Sequence, residues 1–477
     1  MEASGKTPES GRGTSGRPAL QGLRVTVMGL GLFGGGVGAA RYFARRGARV
    51  TVTDVKEAKP LAPSIKALEC LPVTFHLGGH RDEDFTQTDL LVVSPAVDKR
   101  KSGFVRMAQA AGIPITSEMN VFMEMCRAPT VAVTGSNGKS TTMSLLGAML
   151  ALARPTRLGG NIGISLLDES EKIGPEELVV LELSSFQLED LGLIGRSPQG
   201  AVVTCISPNH LDRHGVMAGY IAAKKNILRF QARDGVAVLN EDDPEVRTWG
   251  ADARGRVVRY SATQALREGV FAEGDTVVLR LGDREERVDL AGRLKLRGRH
   301  NLANVLAAAA GARLFGASTD HIAAAVEAFR PLAHRLEPVG EGGGVLFVND
   351  SKATTPLAAQ LAIEAFSRPV IIIAGGYDKH TDPTPMAETI RVRAKAAILL
   401  GATAGALAGG IGQGGPPVEM ATGIDDAVRR AVAHAAPGDV VLLSPGHASW
   451  DMFENYEQRG DLFRRAAERF AKKGFQV

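Results

Sequence analysis

The stretch Thr134-Gly135-Ser136-Asn137-Gly138-Lys139-Ser140-Thr141 constrains the fold of this chain more than any other part of it. It follows a β-branched apolar run at 130–134 and precedes a helix-forming segment expected over 139–153. A glycine loop between a buried strand and a helix N-terminus aims several backbone N–H groups and the positive end of the helix dipole at phosphate oxygens. A lysine there adds charge. Gly135, Ser136, Asn137, Gly138, Lys139, Ser140 and Thr141 are therefore candidate triphosphate ligands. The position five before Gly138 is Val133, so the loop is shorter than the GxxxxGK[ST] form.

A strand–loop–helix unit of this kind belongs to an α/β fold with a parallel sheet, and 477 residues suit about three such domains. Strands are expected at 24–28, 49–53, 90–94 and 113–116, then at 130–134, 178–183, 201–206 and 235–240. Antiparallel strands are expected within 257–296, and a third set at 345–349, 370–374, 396–400 and 440–444. Helices are expected at 37–46, 220–231 and 301–314. The resulting division is a tail over 1–19 and domains over 20–127, 128–330 and 331–477. The tail is rich in Gly, Ser, Pro and Thr and lacks the apolar core of a signal peptide.

Charged residues make up 23% of the chain and the net charge of +4 is scattered, with no basic stripe interleaved with aromatics, so nucleic acid is not the expected partner. Cys70, Cys126 and Cys205 are isolated and are expected as buried thiols in a reducing, cytoplasmic setting. The uncharged stretch 396–418 is long enough to raise a membrane helix, but its seven glycines and Pro-Pro pair favour a strand plus a loop. No membrane partner is expected.

A second glycine cluster, Gly29-Leu30-Gly31-Leu32-Phe33-Gly34, joins a strand to a helix, and Asp54 lies 23 residues after Gly31 at a strand end. NAD or a UDP group suits such a turn equally. A triphosphate calls for a hard divalent cation with oxygen ligands. Glu182 ends an apolar strand, and Asn209-His210-Leu211-Asp212-Arg213-His214 follows another. Strand ends of this kind face the ligand crevice of α/β sheets. Lys224, Lys225, Asp350, Lys352 and Lys379 are by default solvated, yet the last three also follow apolar strands.

Taken in order, these segments resemble the Mur ligases, the ATP-dependent amide-forming enzymes of peptidoglycan precursor synthesis. The strings Leu181-Glu-Leu-Ser-Ser-Phe-Gln-Leu-Glu189, Asn209-His-Leu-Asp-Arg-His214 and Asn349-Asp-Ser-Lys-Ala-Thr354 are most similar to those of the branch that adds D-glutamate to UDP-N-acetylmuramoyl-L-alanine. The resemblance implies three domains: a Rossmann-like domain for the UDP substrate, a central P-loop-type ATPase domain and a Rossmann-like C-terminal domain. It implies a cytoplasmic, monomeric enzyme serving cell-wall biogenesis, and through it cell shape, cell division and the cell cycle.

Position by position, the resemblance places Lys139 on the γ-phosphate and Ser140 and Glu182 near a first magnesium. His210 would bind a second magnesium, and Lys224, in Tyr220-Ile-Ala-Ala-Lys224, would carry a CO2-derived carbamate that ligates metal. Asn301 and Asn304 would approach adenine, while Arg335, Asp350 and Lys352 close over the nucleotide. Asn161 and His210 would reach the UDP-sugar substrate, with Gly31, Leu32, Phe33, Gly34, Asp54, Val55, Lys56, Ser94 and Pro95 around the UDP group. Thr354, Lys379, Ser449 and Tyr456 would surround D-glutamate, whose carboxylates suit a lysine and hydroxyl donors. Tyr456 and Trp450 depart from the residue types the resemblance leads one to expect, and Phe33 and Val55 lack a hydroxyl for the diphosphate. The alternatives are a sibling ligase for another amino acid and a non-catalytic dinucleotide-binding sensor built on Gly29–Gly34.

Overall fold

The structure, a computed structural model, describes residues 20–32, 34–379 and 381–473. The tail over 1–19 and Phe33 lie outside the described residues. Contacts divide the chain into two compact units. The first holds the described residues up to Cys126 together with Gly163–Lys172, and the second holds Arg127–Ile162 and the rest from Ile173.

The first unit is built on a wholly parallel sheet, β1 (Arg24–Met28), β2 (Arg49–Asp54), β3 (Val73–Leu77), β4 (Leu90–Val93) and β5 (Ile115–Thr116), in the order β3-β2-β1-β4-β5. Runs such as Val-Thr-Val and Leu-Leu-Val-Val suit strands covered on both faces. The glycine turn leads from β1 into the helix Gly35–Arg45, whose Val37, Ala39, Ala40 and Phe43 are buried. Asp54, at the carboxyl end of β2, fixes that turn. Its Oδ2 accepts the N–H groups of Leu30 at 2.9 Å and Gly31 at 3.2 Å, and its Oδ1 accepts that of Lys56 at 2.9 Å.

The second unit holds two sheets. Nine strands, β6 (Thr130–Thr134), β7 (Thr156–Gly160), β8 (Leu178–Glu182), β9 (Gly200–Val203), β10 (Val236–Asn240), β11 (Arg256–Ser261), β12 (Gly269–Glu273), β13 (Thr276–Leu281) and β14 (Arg284–Asp289), run β14-β13-β12-β11-β10-β9-β6-β8-β7. The insert expected within 257–296 is antiparallel through β12, β13 and β14, whereas β11 joins β12 in parallel. The helix Arg299–Leu314 buries Ala307, Ala308, Ala309 and Ala310 in the core it shares with the helix Lys139–Ala151, and small side chains let the two helices approach closely.

Six further strands, β15 (Glu337–Gly342), β16 (Val345–Asn349), β17 (Val370–Ala374), β18 (Ala394–Leu399), β19 (Val418–Met420) and β20 (Val440–Leu443), run β15-β16-β20-β17-β18-β19, parallel except for β15. β3, β7, β15 and β19 were not expected. β7 (Thr-Arg-Leu-Gly-Gly) and β15 (Glu-Pro-Val-Gly-Glu-Gly) lack an apolar run, and they lie at sheet edges, where pairing on one side does not demand one.

Two expectations are corrected. The uncharged stretch is not a strand plus a loop, because the helix Ala404–Ile411 forms between β18 and β19 and buries Leu407 and Ile411. No helix among the described residues is long and apolar enough to cross a membrane. The cysteines are free but not buried: Cys70 is exposed and Cys126 and Cys205 are half-buried.

The short segment Gly163–Lys172 is fastened to the first unit by side chains. Ser165 Oγ donates to Glu118 Oε1 at 2.5 Å, Arg45 Nη1 pairs with Asp168 at 2.6 Å and Arg46 Nη2 with Glu171 at 3.0 Å. Burial pushes the Glu118 carboxyl up to about 7, and the Ser165 hydrogen bond recovers only part of that rise. A carboxyl that holds its proton longer when folded loses stability as pH climbs from its unfolded value of 4.5 through about 7. The unfolding free energy of the native chain relative to Glu118→Gln, from urea denaturation, should therefore fall by roughly 1–3 kcal/mol between pH 4.5 and 7.5. A difference independent of pH would show that Glu118 ionises normally.

Candidate active site

The order β9-β6-β8-β7 brings residues distant in sequence to one carboxyl edge. β6 is fully buried and ends in the glycine loop, from which the helix Lys139–Ala151 departs. Gly138 sits at φ 83°, and a Cβ on it would lie 2.3 Å from Asn304 Oδ1, so only glycine fits. Val133 pairs with Glu182 on β8, and Gly160 of β7 pairs with Glu182 from the other side. Glu182, 3% exposed, accepts from Ser140 Oγ at 2.5 Å and from Asn161 Nδ2 at 3.1 Å. Arg335, 195 residues further on, donates from Nη2 to Ser140 Oγ at 2.9 Å.

Two lysines lie beside this knot. Lys139 Nζ donates to the carbonyls of Gly135 and Ser136, both at 2.9 Å. Lys224, on the helix Met217–Arg229, is 1% exposed and donates to Thr134 Oγ1 at 3.1 Å and Gly135 O at 3.0 Å. Burial holds its ammonium well below the usual lysine range, and the Lys139 charge lowers it further. Lys225 instead pairs with Asp252 at 2.9 Å, so geometry separates the adjacent lysines. His210 is exposed in a left-handed conformation, φ 54°, its ring edge-on to Phe186 at 5.0 Å. Phe186 also stacks with His214 at 5.2 Å, and the Arg213 guanidinium lies 4.4 Å from its ring centroid.

Asn137, Gly138, Thr141, Asn301, Asn304, Arg335, Asp350 and Lys352 line one cavity. His300 and the apolar Leu332, Leu361 and Ala362 line it as well and are not among the residues the sequence singles out, since nothing in their spacing marks a cavity wall. Asn304 Nδ2 donates to Asn301 Oδ1 at 3.1 Å, ordering both amides. Among the described residues, the buried Asn137 Nδ2 and Arg335 Nε have no hydrogen-bond partner. Two unpaired donors next to a glycine loop fit an anionic phosphate chain.

Arg335 is presented by a strained loop. His334 at φ 61° and Leu336 at φ 43° flank it, and both are held by carboxylates: His334 N donates to Glu337 Oε2 at 2.9 Å and Leu336 N to Asp350 Oδ1 at 3.1 Å. Asp350 also accepts from Ser444 Oγ at 2.8 Å, and its burial pushes the carboxyl up to about 7. Lys352 is lowered to about 8 by burial and by Arg335.

Of the residues expected around an amino acid, Ser449 is buried and Lys379 half-buried on neighbouring loops, joined where Tyr377 N donates to Ala448 O at 2.8 Å. Thr354 is half-buried after Lys352. The Tyr456 ring lies under Lys352 Nζ, 4.9 Å from its centroid, which places it beside that lysine. In the first unit, Gly31, Leu32 and Gly34 form the turn above Asp54, and Ser94 packs on Gly29 with its N–H bonded to Met28 O at 2.9 Å. Pro95 follows. The Asp54 carboxylate is spent on the turn, while Val55 stands 67% exposed beside Lys56.

A metal site can be tested against these donors. Among the described residues no three His, Cys, Asp or Glu side chains form a metal-holding group. The Ser140 hydroxyl and the Glu182 carboxylate share a buried edge, and such hard oxygens fit magnesium when phosphate oxygens complete the shell.

Three family profiles match the chain in succession: the Mur ligase MurD-like N-terminal domain over residues 23–117, the Mur ligase middle domain over 133–312, and the Mur ligase glutamate ligase domain over 334–447. The chain belongs to the Mur ligase family. A UDP-N-acetylmuramoylalanine--D-glutamate ligase of Roseiflexus sp. (strain RS-1) is 43% identical over 470 residues, spanning 94% of this chain and 99% of that protein. One of the same name from Pelotomaculum thermopropionicum is 40% identical, spanning 92% and 96%. The solved UDP-N-acetylmuramate-alanine ligase of Thermotoga maritima, 18% identical with a TM-score of 0.62 over 94% of this chain and 99% of that one, shares the fold.

This Mur ligase also contains a structural residue that no sequence pattern announced. Arg459, 1% exposed, donates to Ser351 Oγ at 3.0 Å, Ser351 O at 2.8 Å, His447 O at 3.2 Å and Ala448 O at 3.3 Å. It thereby ties the Lys352 loop to the Ser449 loop. Burial lowers its guanidinium to about 10. Arg459→Leu would strand buried carbonyls and should cost roughly 2–4 kcal/mol in urea unfolding. A loss under about 0.5 kcal/mol would mean the loops hold without it.

Proposed function

We propose that this Mur ligase joins D-glutamate to UDP-N-acetylmuramoyl-L-alanine with hydrolysis of ATP to ADP and phosphate, through an acyl phosphate. The observation that carries the reading is the meeting of the glycine loop, Ser140, Glu182 and Arg335 at one edge, in a chain 43% identical over nearly its whole length to a relative bearing that activity in its name. On this reading the substrate carboxylate attacks the γ-phosphorus and the bond to the β,γ-bridging oxygen breaks. The D-glutamate amine then forms a bond to the acyl carbon, loses a proton, and phosphate leaves.

The chain's residues supply position and charge. Loop amides and Lys139 hold the phosphates, Arg335 with its unpaired Nε closes on them, and the amides of Asn301 and Asn304 border the base. The turn Gly31–Gly34 with Val55, Lys56, Ser94 and Pro95 takes the UDP group, and Asn161 the sugar side. Thr354, Lys379 and Ser449 face the amino acid, with Tyr456 beside Lys352. Domain limits at 127/128 and 330/331 follow from the same reading, as do a cytoplasmic setting and a monomeric state.

Magnesium, two ions on this reading, would be held by Ser140, Glu182, His210 and a carbamate on Lys224, and supplies charge neutralisation when bound. The burial of Lys224 supports the carbamate, because a desolvated amine loses its proton readily and the neutral Nζ can bond to CO2 with release of one proton.

Phosphate release from ATP and UDP-N-acetylmuramoyl-L-alanine should occur with D-glutamate and not with L-alanine or a diamino acid. Release with either of those instead would overturn the choice of amino acid. Separately, Lys224→Ala should lose activity by roughly 100-fold and regain part of it with short carboxylates. Full activity without them would remove the carbamate.

A further inference from the structure

Trp450 is a large apolar side chain left 63% exposed on the loop after the buried Ser449. Its neighbour Tyr377 is 42% exposed, with ring centroids 5.5 Å apart and planes tilted by 54°. The pair is not an accident of two free side chains. An antiparallel bridge joins Tyr377 to Ala448, and a Cβ on Gly376 would lie 2.3 Å from Ala448 O, so the two loops are locked backbone to backbone. The Lys379 ammonium lies 5.0 Å from the Trp450 ring centroid, within cation–π range. Burial lowers the Lys379 ammonium from its ordinary value, while the Asp212 charge favours it. Lys379 therefore has an aromatic ring on one side, with the Asp212 carboxylate influencing it from the short helix that follows His210.

We propose that Trp450, braced by Tyr377, is the specificity-determining residue for the incoming amino acid. Its indole fixes where the Lys379 ammonium stands and offers an apolar platform for the side-chain methylenes of an acidic amino acid whose distal carboxylate reaches that ammonium. An acid one methylene shorter covers the platform but falls short of the charge. An uncharged amino acid leaves a half-desolvated ammonium unpaired. This rests on the reading of the site as one for D-glutamate and adds the residue that measures the acid's length.

The test uses the full-length enzyme with Trp450→Ala and Trp450→Phe, assayed by phosphate release. Trp450→Ala should raise the KM for D-glutamate by roughly 5- to 10-fold, with kcat and the KM for ATP nearly unchanged, and narrow the preference over D-aspartate. Trp450→Phe should recover most of the loss. The chain has two tryptophans, and Trp249 is fully buried. D-glutamate added to the enzyme with UDP-N-acetylmuramoyl-L-alanine and a non-hydrolysable ATP analogue should therefore change the emission, and the change should vanish in Trp450→Phe. A KM for D-glutamate within twofold of the native value in Trp450→Ala would overturn the proposal, as would parallel rises in both KM values. Absence of turnover with D-glutamate in the native enzyme would instead overturn the substrate reading.

Discussion

The site depends on one buried carboxylate. Glu182 terminates β8 with almost no access to water, and isolated burial of such a charge would cost several kcal/mol. Its compensation is drawn from three directions: the Ser140 hydroxyl at the start of a helix, the Asn161 amide at the end of the neighbouring strand, and the positive field of Lys139. Each partner is thereby fixed by the need to satisfy Glu182. Because Ser140 also accepts from Arg335, the same need reaches the loop before β15.

Much of this was legible because it depends on local signals. A β-branched run, a glycine-rich loop and a lysine form a pattern a few residues long, and the strands at 130–134, 345–349 and 370–374 fall where their apolar runs lie. What could not be read depends on partners distant in sequence. Arg459 looks like any arginine on an amphipathic helix until the carbonyls of Ser351, His447 and Ala448 converge on it. β7 is a strand only because β8 offers it an edge. The helix Ala404–Ile411 was obscured by its own glycines, whose poor helix propensity is outweighed by burying Leu407 and Ile411.

Adjacent lysines show the same division between local and distant information. Lys224 and Lys225 are equivalent as letters, and the Tyr-x-x-Ala-Lys spacing favours the first. Lys225 is half-buried and pairs with Asp252, and because helix geometry turns consecutive residues by about 100°, only one of the two lysines can point at the glycine loop. Tyr220, four positions before Lys224 and also buried, sets which one. Its hydroxyl meets Ser136 Oγ at 3.0 Å, docking this face of the helix against the glycine loop and carrying Lys224 to Thr134.

The Arg335 loop inverts the usual relation between stability and function. Left-handed backbone at His334 and Leu336 costs of order 1–3 kcal/mol each, and neither residue is a glycine that would relieve it. The strain persists because Glu337 and Asp350 each take a backbone N–H from the loop, and Lys352 N bonds His334 O. Asp350 is itself disfavoured as an anion by burial, so it serves the loop as a hydrogen-bonding group more than as a charge. A relaxed loop would turn the guanidinium elsewhere. Held in this conformation, Arg335 reaches Ser140 while keeping Nε unpaired, so the backbone strain stored around it is the means by which a cation from the loop before β15 is delivered to the glycine-loop edge of the second sheet.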